Sequence, residues 1–316
     1  MIRLVHRVID GPSGERLPLM VARSRVAGPV VLISANLHGD EVSTMAIVHE
    51  LARLAPGRLL RGALWLMPSL NPAGLRAASR TVPGDPLDPN RAFPGRARGT
   101  EARRLAAVIW GVVVESKADL LLDLHTDSRS AMPYAVVDRV LRGDALLRRR
   151  CEDLGLACGL TLLREYPAER YQAYGLDQSL TGAVVNILGV PAVTLELGPR
   201  RDVDPVAVEQ GLASVLSVLA GQGMVDAPAW VHPERRDDGP WRRETGPRAT
   251  KAGLLVPAAR VGVDLPIGTL LAEVRDPDGR VLEQAHTVAP CFVVAYPDRA
   301  WIEVGAATAT LAVLEE

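Results

Sequence analysis

The sequence predicts an α/β protein with a mostly parallel mixed sheet flanked by helices, followed by a small all-β module. Two observations lead there. Near-continuous apolar runs of strand length, such as Val30-Val31-Leu32-Ile33, alternate with stretches whose apolar residues recur at helical spacing, and at least four such repeats precede residue 220. Beyond residue 252 the pattern changes to short β-like runs separated by turns such as Asp276-Pro277-Asp278-Gly279. The chain of 316 residues is long enough for one large domain and a small one, and its 48% hydrophobic content supplies a core.

Taken in order, residues 1–28 read as two strands around the turn Asp10-Gly11-Pro12-Ser13-Gly14, extending one side of the sheet. An apolar strand over 29–37 gives way at Ala35-Asn36-Leu37-His38-Gly39-Asp40-Glu41 to a helix over 42–55, with Asp40 as its cap and Pro56-Gly57 as its end. Residues 62–70 are the next strand. Residues 71–99, rich in proline and glycine, read as a long loop without a regular core of its own, and such loops in compact domains are usually functional. A helix over 100–117 with Thr100 as N-cap precedes the strand that ends at His125. A helix over 143–156, a polar aromatic loop over 164–174, a helix over 176–188, a strand ending at Glu196 and a helix over 205–219 complete the α/β part. Between 221 and 247 Gly, Pro, Asp and Arg crowd together and hydrophobic periodicity vanishes, which reads as a linker. The resulting division is a large α/β domain over 1–222, a linker over 223–248 and a small β domain over 249–316.

Three of these strand ends carry chemistry. His38 and Glu41 stand three residues apart where a strand meets a helix, and ligands in open α/β sheets bind beyond the carboxyl ends of the strands. His125 ends a second apolar strand and Glu196 a third. Imidazole nitrogen and carboxylate oxygen are what zinc accepts, and a catalytic zinc takes three protein ligands while leaving one position open. Two histidines and two glutamates cover three ligands and one general base.

The motifs His38/Glu41, Asn71-Pro72, Arg80, Asp88-Pro89-Asn90-Arg91-Ala92-Phe93, Asp123-Leu124-His125 and Thr194-Leu195-Glu196-Leu197-Gly198 run in one order over about the first two thirds of the chain. Together they resemble the succinylglutamate desuccinylase and aspartoacylase family of zinc hydrolases, which share the zinc-carboxypeptidase fold. The resemblance implies one zinc per chain on His38, Glu41 and His125, with Glu196 as the catalytic base. It implies that Asn90 and Arg91 hold a substrate's free carboxylate, that Arg80 polarises the scissile carbonyl, with Arg76 as a rival, and that Asp88 accepts a hydrogen bond from His38. Pro89 stands where the family usually has leucine. The C-terminal module resembles the family's barrel-sandwich domain, similar in shape to lipoyl domains, but lacks their Met-Lys-Met hairpin, which argues against a covalent carrier role. The implied activity is hydrolysis of the amide of an N-acyl amino acid or related small carboxylate. A metallocarboxypeptidase acting on small or cell-wall peptides is the alternative, and a metal-binding regulator the non-enzymatic one.

Other residues read more plainly. Arg164, Arg170, Tyr171, Tyr174 and Arg200 are candidates for substrate specificity. His6, His49, His232 and His286 read as structural or solvated, and Cys151 and Cys158 as core. A net charge of −1 with interspersed signs gives no nucleic-acid footprint. Three cysteines without a C-x-x-C pattern argue against a disulfide framework or a cysteine-zinc site and suit a reducing cytoplasm. Residues 1–20 lack the apolar core of a signal peptide, and no run approaches membrane-spanning length, so no membrane partner is expected.

Overall fold

The structure, a computed structural model, describes residues 2–315; the outermost residues of the two expected domains, Met1 and Glu316, lie outside the described residues. The chain opens with β1 (Leu4–Asp10), β2 (Arg16–Arg23), β3 (Val30–Ala35), α1 (Ser43–Arg58) and β4 (Ala63–Met67). β1 and β2 form the expected hairpin, which joins the sheet antiparallel to β4. β3 is buried along nearly its whole length between β4 and β5 (Leu120–His125), parallel to both, which is why it reads as an unbroken apolar run. α1 buries Ile47, Val48, Leu51 and Ala55 on one face, and truncating Leu51 to alanine would cost roughly 2–5 kcal/mol. Pro56 and Gly57 do not end this helix. A proline in the last turn removes one hydrogen bond only, and the Leu59 amide still donates to the Ala55 carbonyl at 3.0 Å, so the helix closes at Arg58.

The 71–99 segment is more regular than its composition suggests. Asn71 caps a short α2 (Pro72–Arg76), accepting from the Gly74 amide at 2.8 Å, and a 3₁₀ turn spans Pro89–Arg91. α3 (Glu101–Ser116) follows, but Thr100 gives it no side-chain cap; Asp85 reaches back to accept from the Ala102 amide at 2.8 Å instead.

After β5 come β6 (Tyr134–Val137), α4 (Ala145–Ala157), β7 (Thr161–Arg164), α5 (Ala168–Ala173), α6 (Leu180–Ala183), β8 (Ala192–Glu196) and α7 (Pro205–Gly221). β6 and β7, four residues each, are too short to show a period in the sequence. The expected loop over 164–174 contains α5, and the expected helix over 176–188 is broken into a 3₁₀ turn, α6 and a wider π turn over Val184–Leu188. α7 packs across α1 so closely that a Cβ on Gly211 would meet Ile47 at 2.3 Å.

The remaining strands are β9 (Trp241–Thr245), β10 (Gly253–Pro257), β11 (Asp264–Leu265), β12 (Leu270–Arg275), β13 (Val281–His286), β14 (Cys291–Ala295), β15 (Trp301–Ile302) and β16 (Thr310–Leu314). β13-β12-β10-β15 form a sheet of their own. β9, β16, β14 and β11 extend the main sheet, whose order is β1-β2-β4-β3-β5-β8-β6-β7-β9-β16-β14-β11. β9 lies inside the segment that reads as a linker. Its sequence, Trp-Arg-Arg-Glu-Thr, hides a strand because its charges are paired rather than solvated: Arg243 with Glu165 and Arg242 with Glu244. Tyr134, Val136, Leu163, Trp241, Phe292, Val294 and Ala312 form one buried cluster across this junction, so the C-terminal strands share a core with β6 and β7.

Candidate metal centre and active site

β3 and β5 are parallel neighbours, and the chain leaves both at the same edge of the sheet. Past β3, Asn36 takes a left-handed conformation (φ 55°), tolerable for asparagine, and donates to the carbonyls of His38 and Gly39 at 3.1 Å while accepting from Ser69 at 2.8 Å. The loop so held packs against α2 so tightly that a Cβ on Gly39 would lie 2.0 Å from the Gly74 carbonyl carbon. Asn36 carries no reactive chemistry, so nothing in the sequence marks it. Asp40 does not cap α1, whose N-cap Val42 makes no side-chain bond; its backbone carbonyl accepts from the Arg201 amide at 2.7 Å.

This turn brings His38 and Glu41 to His125 at the end of β5. Their ligand atoms lie within 4.8 Å of one another, and all three side chains are buried. Nδ1 of His38 is 2.8 Å from Glu41 Oε1, and Nδ1 of His125 is 2.8 Å from Oε2. The far nitrogens are held too: His38 Nε2 by Asp88 at 3.1 Å, as expected from the sequence, and His125 Nε2 by Asp123 at 2.9 Å. A ring that donates Nε2–H to a carboxylate presents a lone pair at Nδ1. Facing a carboxylate oxygen, each Nδ1 must either carry a second proton or share a cation with it. The charges respond accordingly. Burial favours a neutral Glu41, but the two imidazoles more than offset it and hold its carboxyl well below the usual range. Burial likewise opposes a charged His125, yet Asp123 and Glu41 push it well above its ordinary value. Two imidazoles, a central carboxylate and a carboxylate behind each ring fit a divalent cation standing where those protons would be.

β8 pairs parallel with β5 in a register that sets Glu196 opposite His125. Both line one cavity of about 210 Å³. Among the described residues the Glu196 carboxylate forms no ion pair and accepts no hydrogen bond. Burial pushes its carboxyl up to about 7, with Asp127 and Glu41 adding to the shift and His125 opposing it.

Arg80, Asn90 and Arg91 line the same cavity. Arg80 bonds Asp88 at 2.9 Å and reaches within 3.8 Å of Glu41 Oε1, whereas Arg76 does not reach the cavity. Arg91 donates to the backbone carbonyls of Asn90 (2.6 Å) and Tyr174 (2.9 Å) and makes no ion pair among the described residues; burial lowers its pKa. Of the specificity candidates, Arg200 lines the cavity, 3.8 Å from Glu41 Oε1. The others point elsewhere: Arg164 to Glu152 and Glu315, Arg170 to Glu244, Tyr171 to Asp138 from behind the wall, and Tyr174 onto the edge of the Tyr166 ring. Their places in the wall are taken by Tyr134, Asp138, Glu165, Tyr166, Arg243 and Thr310; Glu165 and Tyr166 belong to the polar aromatic stretch over 164–174, while the other four carry no signal in the sequence. The other histidines are outside the site: His6, His49 and His286 are exposed, and His232 stacks edge-on against Trp230. Among the described residues no helix is long and apolar enough to cross a membrane.

A family model described as the succinylglutamate desuccinylase/aspartoacylase catalytic domain matches residues 27–221. Among characterised proteins, the N-alpha-acetyl-L-2,4-diaminobutyric acid deacetylase of Halomonas elongata is 30% identical over 221 residues, covering 69% of this chain and 61% of that protein. Succinylglutamate desuccinylase of Pseudomonas aeruginosa is 30% identical over 195 residues, covering 56% and 53% respectively. The matched stretches thus span little more than half of these relatives. The fold is that of a succinylglutamate desuccinylase/aspartoacylase from Rhodobacter sphaeroides (TM-score 0.83, 22% identity, 100% of this chain and 96% of that one). It is equally that of the product-bound ectoine utilization protein EutE (DoeB) from Ruegeria pomeroyi (TM-score 0.82, 22% identity, 98% and 95%).

Proposed function

Because the chain belongs to the succinylglutamate desuccinylase/aspartoacylase family, we propose that it is a zinc-dependent amidohydrolase removing the acyl group from an N-acyl amino acid or a related small carboxylate. One observation carries the reading: His38, Glu41 and His125 converge on a cavity whose wall also holds Glu196 without a partner of its own. The named activities of the two relatives, one a deacetylase and one a desuccinylase, support the same class of substrate.

In this proposal His38, Glu41 and His125 hold one zinc per chain, with Asp88 and Asp123 keeping the imidazoles aimed. When bound, the ion supplies Lewis acidity, which polarises the scissile carbonyl and makes water a competent nucleophile near neutral pH. Glu196 accepts the proton of the attacking water at its carboxylate and returns it to the leaving nitrogen; a carboxyl near 7 is suited to both transfers. The Arg80 guanidinium, poised over Glu41, stabilises the carbonyl oxygen as it gains charge. Asn90 and Arg91 take the substrate's free carboxylate, a planar fork against a planar anion.

The C-terminal strands favour this over a peptidase. Arg243 of β9 and Thr310 of β16 wall the cavity, and about 210 Å³ suits a small acylated amino acid better than a chain. A reducing cytoplasmic setting belongs to the same proposal, supported by three buried free cysteines. The test is a panel of N-acyl amino acids against short peptides, with the zinc-loaded protein. Turnover of acylated amino acids is expected; turnover of peptides alone would favour the carboxypeptidase reading, and zinc binding with neither activity a regulatory one.

A further inference from the structure

Arg80, Asp127 and Arg200 line two spaces at once: the inner cavity of about 210 Å³, which also holds Asn90, Arg91 and Glu196, and an outer trough of about 780 Å³, which holds none of those three. Arg80 and Arg200 each come within 3.8 Å of the same oxygen, Glu41 Oε1, so the two spaces meet at the metal centre. The rest of the trough is built by the segment that follows α2, the loop after β8 and the C-terminal residues on either side of β15.

This arrangement gives a bound substrate a direction. In the proposed reaction the free carboxylate lies at Asn90 and Arg91, which line the inner cavity only, and the scissile carbonyl lies at Arg80. A carbonyl carbon carries the amide nitrogen on one side and the acyl chain on the other. With the amino-acid half inside, the acyl chain runs outward into the trough.

The charges of the trough are spent on one another or on water. Arg80 pairs with Asp88 at 2.9 Å, Arg201 approaches Asp40 at 3.9 Å, and Arg200 stands between Asp127 and Asp298 at 3.9 and 3.8 Å. Arg299 and Glu303 are exposed. What stays unengaged is apolar: Pro297, Trp301, Ala306 and Ala307 from the C-terminal segment, with Ala78 from the segment after α2. Trp301 is 49% exposed and pairs with no other ring among the described residues, whereas Ile302 next to it is buried. A half-open tryptophan beside a reaction cavity is apolar surface offered to a ligand rather than to the core.

We infer that the acyl group removed by this chain is an extended apolar one, longer than acetyl, lying along Trp301 in the trough. This rests on the amidohydrolase reading above and deepens it by naming the acyl class. An acetyl group would end at the metal centre and leave the trough to water. A short acyl group ending in a carboxylate would meet arginines that already have partners, and a peptidyl group would lay polar amides against the apolar strip.

The test measures kcat/KM of the full-length, zinc-loaded protein on the acetyl, propanoyl, pentanoyl and acetylglycyl derivatives of one amino acid, the best of the N-acyl panel. Values should rise about two- to threefold per added methylene, or about 10- to 30-fold from acetyl to pentanoyl, as each CH₂ is partly withdrawn from water. Acetylglycyl, a polar chain of the same length as pentanoyl, should trail it. Trp301→Ala, a change at an exposed position, should cut the pentanoyl advantage several-fold, chiefly through KM. A flat or falling series overturns the inference, and so does an advantage that Trp301→Ala leaves whole; a lead for acetylglycyl gives the trough to peptides instead. If no N-acyl amino acid is split, the amidohydrolase reading fails separately. The trough is then read from melting-temperature shifts with N-pentanoylglycine and N-acetylglycine. A larger pentanoyl shift that Trp301→Ala removes supports the inference, and equal shifts on the wild type overturn it.

Discussion

The two halves of the cavity are built in opposite ways. On the metal side, each functional residue sits at the end of a long apolar strand or within a few positions of another: His38 with Glu41, Asp123 with His125, and Glu196 opposite His125 by register. On the far side, β6, β7, β9 and β16 contribute scattered residues, among them Asp138 and Glu165 just past their strands, and Arg243 and Thr310 from the C-terminal strands. The first half is fixed by local geometry. The second exists only once four short strands from distant parts of the chain have found their register.

If the metal side is the reaction centre, the largest effects must come from it. His38→Ala or His125→Ala should abolish both zinc binding and activity, measured by metal analysis of the purified protein, while Asp123→Asn should cost about 10- to 100-fold in metal affinity by releasing the His125 ring. Stoichiometric zinc in both alanine variants would erase the distinction between the halves. Next in size is Glu196→Gln, which keeps shape but removes the proton acceptor. Zinc should stay bound and KM change little, while kcat falls by roughly 10²–10⁴-fold. A folded, zinc-replete variant with wild-type kcat would rule out the mechanism.

Arg91 stands at the seam between the halves, and its effect should be intermediate. Arg91→Ala should cost carboxylate substrates about 10- to 100-fold in kcat/KM and their amides much less. Equal losses on both would make the residue structural rather than a reader of the anion.

The same contrast explains what the sequence disclosed. The strands β3, β5 and β8 announce themselves because both of their faces are buried, and the histidines and glutamate at their ends follow from that. Asp88 was legible through its motif, and its bond to His38 is present. Arg243 was not legible: Trp-Arg-Arg-Glu-Thr between proline-rich flanks looks like solvated linker, and only pairing with β7 and β16 makes it a wall of the site. Asp138 and Glu165 follow strands of four residues, too short to show a period. Asp40 differs from the expected helix cap for a related reason: its neighbours in sequence suit a cap, but its contact is Arg201, far along the chain.

The smallest effect sharpens the comparison most, because it belongs to the far half alone. The Asp138 carboxyl titrates near 7 in the folded protein against an ordinary value of 3.8, driven by burial and then by Glu165. Between those values the folded state holds a proton that the unfolded chain has released, so raising the pH through this window favours unfolding. The stabilisation is complete below about 4 and gone above about 7. Glu196 and Asp127, also raised by burial, act in the same direction, so the wild-type slope alone identifies nothing. The difference between wild type and Asp138→Asn does, because asparagine cannot titrate and leaves the other two carboxyls in place. In urea melts at fixed metal content, the variant should gain on the wild type between pH 5 and pH 8 by on the order of 1 kcal/mol. Parallel stability curves would mean that Asp138 is already matched by a cation in the folded protein, and the far half would then have no charge to offer a ligand.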